Sequence, residues 1–232
     1  MRVLMIGGAG RVGSMTAPYL KDRHSLTIFD RRPAADSRLR SIQGDICDYA
    51  ALADAMAGQD ALIYMAMGSE DWDSLVGIHS AYDINVKGLH LALYAAQAAG
   101  IQQAVYTSSM SVYENLGGRT FADENVLPDA HELYGFTKYL GEQVCQTAAR
   151  NWDMHINALR LCFPTPDEEL ALVKPEQDRL ATAASDVAAA LAAALRFQAR
   201  FQTFMISGDA RHTVLNMRKA RRLLSWSPQA AT

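Results

Sequence analysis

The sequence predicts an α/β fold with a parallel sheet at its centre, and three observations carry that reading. Short apolar runs alternate with longer helical patterns over most of the chain, which is the signature of βαβ units. A glycine-rich turn lies directly between the first apolar run and the first helical pattern. Half of the 232 residues are hydrophobic, which is enough to fill a sizeable core in one domain of this length.

Each element can be read in order. "RVLMI" (Arg2–Ile6) is a buried strand, followed by the glycine turn and a helix from about Arg11 to Lys21. "SLTIF" (Ser25–Phe29) is the second strand and ends at Asp30. A third short strand falls near Arg40–Gln43, and a helix over Asp48–Gly58 is closed by its glycine. "ALIYMAM" (Ala61–Met67) reads as the fourth strand, and the polar stretch Gly68–Gly77 as a loop. A long helix then runs from about His79 to Ala99 and stops at Gly100. "QAVYTSS" (Gln103–Ser109) is the fifth strand. The connection from Met110 to Glu132 that follows is long, and connections of that kind in compact domains often carry function. A helix containing Tyr134 and a sixth strand, "HINALRL" (His155–Leu161), come next. Beyond a charged, proline-punctuated segment lie an alanine-rich helix (about Ala183–Phe197), a strand (Thr203–Ser207) and a last helix around Asn216–Leu224. The pattern is that of a doubly wound sheet with a small C-terminal subregion.

Composition excludes several functions. A formal net charge of −3 and a pI near 6.1 give no reason to expect a nucleic-acid surface. "RRP" and "MRKARR" read as solvated faces. Cys47, Cys145 and Cys162 are scattered, and no histidine stands near them at ligand spacing. Neither a metal site nor a disulfide framework is therefore expected, and a reducing cytoplasm fits. The glycines of "MRVLMIGGAG" interrupt what would otherwise resemble a leader. The alanine-rich run Ala181–Leu195 contains Ser185 and Asp186, so no membrane span is expected.

The glycine turn "GGAGRVG" spaces Gly7, Gly10 and Gly13 as GxxGxxG and carries Arg11 and Val12 between the last two. At the start of a helix such a turn leaves backbone N–H groups facing outward, where a pyrophosphate can sit. A dinucleotide site also needs an acid at the end of the second strand, and Asp30 lies 17 residues after Gly13. There its carboxylate can accept from ribose hydroxyls, which favours NAD over NADP. Arg31 and Arg32 keep NADP open, because a guanidinium can neutralise a 2′-phosphate. Asp45 and Ile46 of "GDI" read either as an adenine contact or as a turn.

Tyr134 and Lys138, four residues apart in "ELYGFTKYLGEQ", would by themselves be an ordinary helix-surface pair. Taken in order, "GGAGRVG", Asp30, "GDI", "TSSMSVYE" and the YxxxK of "YGFTK" resemble the short-chain dehydrogenase/reductase superfamily, in its extended NAD-dependent epimerase/dehydratase branch. The resemblance runs from Met1 to about Arg160, with echoes in "ASDVAAAL" and "LLSWSP". It implies residues 1–160 as the dinucleotide-binding domain and 161–232 as a substrate-binding subregion. It also implies Ser109 as the hydroxyl that holds the substrate oxygen, Tyr134 as acid/base, and Lys138 as the cation that lowers the tyrosine pKa and binds the nicotinamide ribose. Met65 and Ala66 are placed against the cofactor. Asn85 matches a supporting asparagine of the family, or is simply a polar helix residue. Members of the family often form homodimers through two helices, here about His79–Ala99 and Tyr134–Asn151.

The substrate is read from the C-terminal part. Only about 70 residues follow the sixth strand, which is little for a nucleotide-sugar site. Phe163 stands where the family has asparagine. In layout the chain resembles the small uronate dehydrogenases of the branch, which implies a small sugar-like or polyol substrate, with Met110 beside it and Arg179 gripping a carboxylate. Met110–Ser111 departs from the Asn–His of those enzymes. A nucleotide-sugar epimerase/dehydratase or a non-catalytic NAD-binding regulator are the other readings.

Overall fold

A computed structural model of the chain describes residues 1–173 and 180–230. Its strands are β1 (Arg2–Ile6), β2 (Ser25–Asp30), β3 (Arg40–Gln43), β4 (Ala61–Tyr64), β5 (Gln103–Ser109), β6 (His155–Leu161), β7 (Pro164–Thr165), β8 (Thr182–Ala183) and β9 (Phe201–Ile206). Seven of them form one parallel sheet in the order β3-β2-β1-β4-β5-β6-β9, while β7 and β8 pair separately. The described helices are α1 (Arg11–Leu20), α2 (Tyr49–Met56), α3 (Leu75–Ala81), α4 (Leu89–Ala98), α5 (Leu133–Asn151), α6 (Ala184–Ala194) and α7 (Arg218–Leu224). The predicted α/β class and the doubly wound order hold.

The sheet is covered on both faces, and this explains why its strands read as continuous apolar runs. Successive residues point to opposite layers. Val3 and Met5 of β1 pack with α1, α6 and α7, whereas Leu4 and Ile6 pack with α2, α4 and α5. Strand order reverses between β1 and β4. The crevice at the carboxyl ends of these strands is where such sheets hold ligands.

Three boundaries differ from the sequence reading. The fourth strand ends at Tyr64, and Met65–Met67 leave the sheet. The next helix begins at Leu75 rather than His79, because the Ser74 hydroxyl accepts from the Gly77 N–H (3.0 Å) and caps it. Gly77, read as the end of the loop, is a packing position inside the helix, where a Cβ would meet the Asp71 carbonyl at 1.5 Å. Between α3 and α4 the helix widens into a π turn, Tyr82–Gly88, whose Ile84 carbonyl accepts from the buried Tyr64 hydroxyl. The ninth strand begins earlier than expected, at Phe201, where it pairs with Ile156.

The two C-terminal sequence echoes meet in space. The Trp226 indole N–H donates to the Asp186 carbonyl (2.9 Å). The Asp186 carboxylate accepts from the backbone N–H groups of Gln229 (2.9 Å) and Ala230 (3.0 Å). No described helix is long and apolar enough to cross a membrane.

Beneath the sheet crevice lies a buried polar cluster. Arg160 of β6 holds both carboxylate oxygens of Glu142 on α5, at 2.8 and 2.7 Å, and the Ser108 hydroxyl donates to the same carboxylate at 2.7 Å. Arg160 also donates to the Tyr113 hydroxyl and the Glu124 carbonyl. Both charged side chains are almost fully buried. Removing one partner strands the other in the core, so Glu142→Ala should cost about 3–5 kcal/mol in urea unfolding. The double variant Glu142→Leu/Arg160→Met should recover most of that loss.

Candidate active site

A cleft of about 1650 Å³ runs along the carboxyl ends of the strands, from the glycine turn to the segment after β6. Its first end is set by β1, the turn and α1. Gly7 has φ +78°, and a Cβ there would lie 2.4 Å from the backbone of Ala66. Only glycine therefore lets the turn pass beside the residues that follow β4. Gly10 caps α1 without a side-chain acceptor, which leaves the first-turn N–H groups of Arg11, Val12 and Gly13 open. Gly10, Arg11, Val12, Met65 and Ala66 line the cleft. Gly13 does not, and packs instead against Gly8.

Asp30 closes this end. Its carboxylate accepts from the N–H groups of Ala9 and Arg32, both at 3.1 Å, and the Arg32 guanidinium donates to the Ala9 carbonyl at 3.2 Å. Arg31 lies beside them on the cleft edge. Asp45 is exposed, and its carboxylate accepts from the Cys47 N–H (2.8 Å) in a tight turn; Gly44 and Ile46 on either side line the cleft, and Asp45 does not. Of the two sequence readings of Asp45, the geometry matches the turn. The bare glycine turn, the open helix terminus and the neighbouring carboxylate together fit a dinucleotide.

The middle of the cleft brings Ser109, Tyr134 and Lys138 together. Three consecutive hydroxyls at the end of β5 have different partners. Thr107 donates to the Tyr64 carbonyl (3.1 Å) and Ser108 to Glu142, which leaves Ser109 facing the cleft. The Ser109 oxygen accepts from the Ser111 N–H at 3.0 Å. On α5, Gly135 allows close approach, since a Cβ there would meet the Ser111 carbonyl at 1.9 Å. The Lys138 ammonium donates to the Thr107 carbonyl (2.9 Å) and lies 5.9 Å from the Tyr134 ring centroid.

Burial raises the Tyr134 phenol above its ordinary range; the facing Ser109 hydroxyl opposes this, and the charge of Glu70 adds to it. Lys138, wholly buried, is pushed down to about 8. The tyrosine expected to be lowered thus stands raised, because desolvation disfavours the charged form of both groups.

Asn85 sits in the π turn, buried and away from the cleft lining. Its amide nitrogen donates to the Thr137 hydroxyl (2.9 Å), and its oxygen accepts from the Gly68 N–H (3.0 Å). Thr137 in turn donates to the Tyr134 carbonyl (3.1 Å). Asn85 therefore reaches the start of α5 through Thr137 and does not face the cleft. Met110 is buried at the cleft wall, and Arg179 lies outside the described residues.

Several residues escaped sequence reasoning. Trp72 packs against Tyr134 with ring centroids 5.3 Å apart and planes tilted by 36°; nothing in a polar loop marks it. Glu142 follows Lys138 at the same four-residue spacing, and Arg160 is a lone charge in an apolar strand, a pattern that signals a buried partner. Phe163 lines the cleft with φ +40°. Asparagine, which the family carries there, adopts that left-handed region readily, and phenylalanine does so only under strain.

A parallel doubly wound sheet with a glycine turn at β1 and a Ser–Tyr–Lys group at β5 and α5 defines a nucleotide-dependent α/β protein of the short-chain type. The model of the NAD-dependent epimerase/dehydratase family matches residues 3–165, and the chain belongs to that family. It is similar to a 3 beta-hydroxysteroid dehydrogenase/Delta 5-->4-isomerase of Mycobacterium tuberculosis, at 38% identity over 61% of this chain and 41% of that one. The match thus spans about two fifths of that relative's length. An L-arabinose 1-dehydrogenase (NAD(P)(+)) of Haloferax volcanii is 26% identical over 78% of this chain and 74% of that one. Among solved structures, a mutated uronate dehydrogenase shares the fold with a TM-score of 0.80 and 22% identity, over 98% of this chain and 81% of that one.

A side chain at Gly10 would project into the cleft, with only the Gly7 carbonyl nearby at 3.1 Å. Gly10→Val should therefore melt near the parent temperature, yet lose about tenfold or more in NAD affinity by calorimetry, because it fills the phosphate cradle.

Proposed function

We propose that the chain is an NAD-dependent oxidoreductase that interconverts an alcohol and its carbonyl compound, with Tyr134 as acid/base. The observation that carries this reading is the convergence of Ser109, Tyr134 and Lys138 on the cleft wall next to the glycine turn. NAD bound there supplies the hydride acceptor or donor. The chain's own residues do the rest. Ser109 holds the substrate oxygen, kept in place by the Ser111 N–H. Tyr134 takes the carbinol proton as phenolate, or returns it as phenol. Lys138, pushed down to about 8 by burial, lies one helical turn away, where its ammonium steadies the phenolate. Asp30 receives the ribose hydroxyls, which favours NAD, while the docked Arg32 leaves NADP admissible.

A small, free substrate is part of the proposal, held beside Phe163, Pro164 and Thr165, which line the cleft after β6. The arabinose dehydrogenase, which covers most of both chains, supports a free rather than a nucleotide-bound substrate. A uronate would need a cation for its carboxylate, and the described lining of the substrate end presents Glu70 and Glu169 instead. A homodimer in the cytoplasm completes the reading, supported by Tyr82 and Tyr94 exposed on one helix and Phe136 on neighbouring α5.

Tyr134→Phe should lower turnover about 10²–10⁴-fold, followed at 340 nm, with NAD affinity unchanged. A cellular role that survives this variant would instead mark a NAD-binding regulator. Glu70→Gln removes a charge that raises the phenol. The pH–rate profile for oxidation, which needs the phenolate, should therefore move to lower pH.

A further inference from the structure

The cleft changes character along its length. At the glycine end it is lined by Arg11, Arg31, Arg32 and the open terminus of α1, a setting for phosphates. At the far end, beyond Ser109, apolar side chains converge from four separate segments: Val76 at the start of α3, Leu116 in the long connection, Phe163 after β6, and Leu172 further on. Val76 is 75% exposed and Leu172 80%, and the strained Phe163 is 37% exposed. Large apolar side chains left open within a concave site mark a surface that an apolar ligand covers. Strain held in one of them points the same way, because such conformations persist where function over-determines them. Among the described residues, the charged groups at this end, Glu70 and Glu169, are both acidic.

Resting on the oxidoreductase reading above, we propose that the substrate is an uncharged alicyclic secondary alcohol, or the matching ketone. Its ring lies against Phe163, Leu116 and Leu172, and its carbinol oxygen lies between Ser109 and Tyr134. Hydroxyls of a sugar ring that face Phe163, Leu116 or Leu172 would lose water without a partner, and the described lining offers the remaining ones Ser111, Thr165, Glu70 and Glu169. A carboxylate or diphosphate would in addition face the two glutamates. In the forward direction the carbinol C–H bond breaks and its electron pair leaves as hydride to bound NAD. The O–H proton passes to the Tyr134 phenolate and the C–O bond becomes C=O, so one alcohol and one NAD give one ketone, one NADH and one proton.

The test uses the full chain with NAD at 340 nm and four probes: 4-tert-butylcyclohexanol, L-arabinose, glucuronate and UDP-glucose. The expected result is a kcat/KM for the cyclohexanol at least about tenfold above that for arabinose, since each buried methylene contributes severalfold, and lower values still for the two charged probes. Phe163→Asn suits the left-handed backbone and should keep the melting temperature and NAD affinity, while raising KM for the cyclohexanol about tenfold. Highest turnover with arabinose, glucuronate or UDP-glucose, lost in Tyr134→Phe, would overturn the apolar substrate and leave the oxidoreductase standing. An unchanged KM in Phe163→Asn would overturn the assigned wall. Silence with all four probes while NAD binds would overturn both readings.

Discussion

The ion pair between Glu142 and Arg160 is the constraint on which the site depends. Two full charges lie in the core, where either alone would be costly. They are tolerated because nearly every donor and acceptor is matched: Arg160 holds both carboxylate oxygens, the Ser108 hydroxyl takes a third bond to Glu142, and the Tyr113 hydroxyl and Glu124 carbonyl meet the remaining guanidinium face. The pair binds α5 to β6 and, through Ser108, to β5. Satisfied only at one separation and one rotation of the helix, it brings Tyr134 opposite Ser109. It also occupies the Ser108 hydroxyl, as the Tyr64 carbonyl occupies that of Thr107, while the Ser109 oxygen accepts from the Ser111 N–H at the cleft.

The electrostatics of the middle of the cleft follow from burial. Burial works against charge on Tyr134 and on Lys138 alike, raising one and lowering the other. Neighbouring charges therefore act strongly on the phenol. That is why Glu70, an exposed residue on a loop, registers at Tyr134 at all. The loop is held against the tyrosine by Trp72, and its far side is tied to α5 through Gly68, Asn85 and Thr137. One segment thus touches both the electrostatics and the placement of Tyr134.

Local patterns made much of this protein legible from its sequence: the alternation of strands and helices, the glycine turn after β1, the acid ending β2, and the tyrosine and lysine one helical turn apart. Each depends on residues close in the chain, where backbone sterics and helical or strand periodicity act directly. Tertiary structure alone decided the rest. Asp45 became a turn residue, Asn85 became a brace behind Tyr134, and Phe163 took a backbone conformation that suits asparagine. Glu142 and Arg160 found each other across 18 residues of chain, and Trp72 found Tyr134. The physical reason is that burial, charge pairing and the polarity of a cleft are properties of what lies opposite a residue. The neighbours that set them come from distant segments, and no local spacing records them.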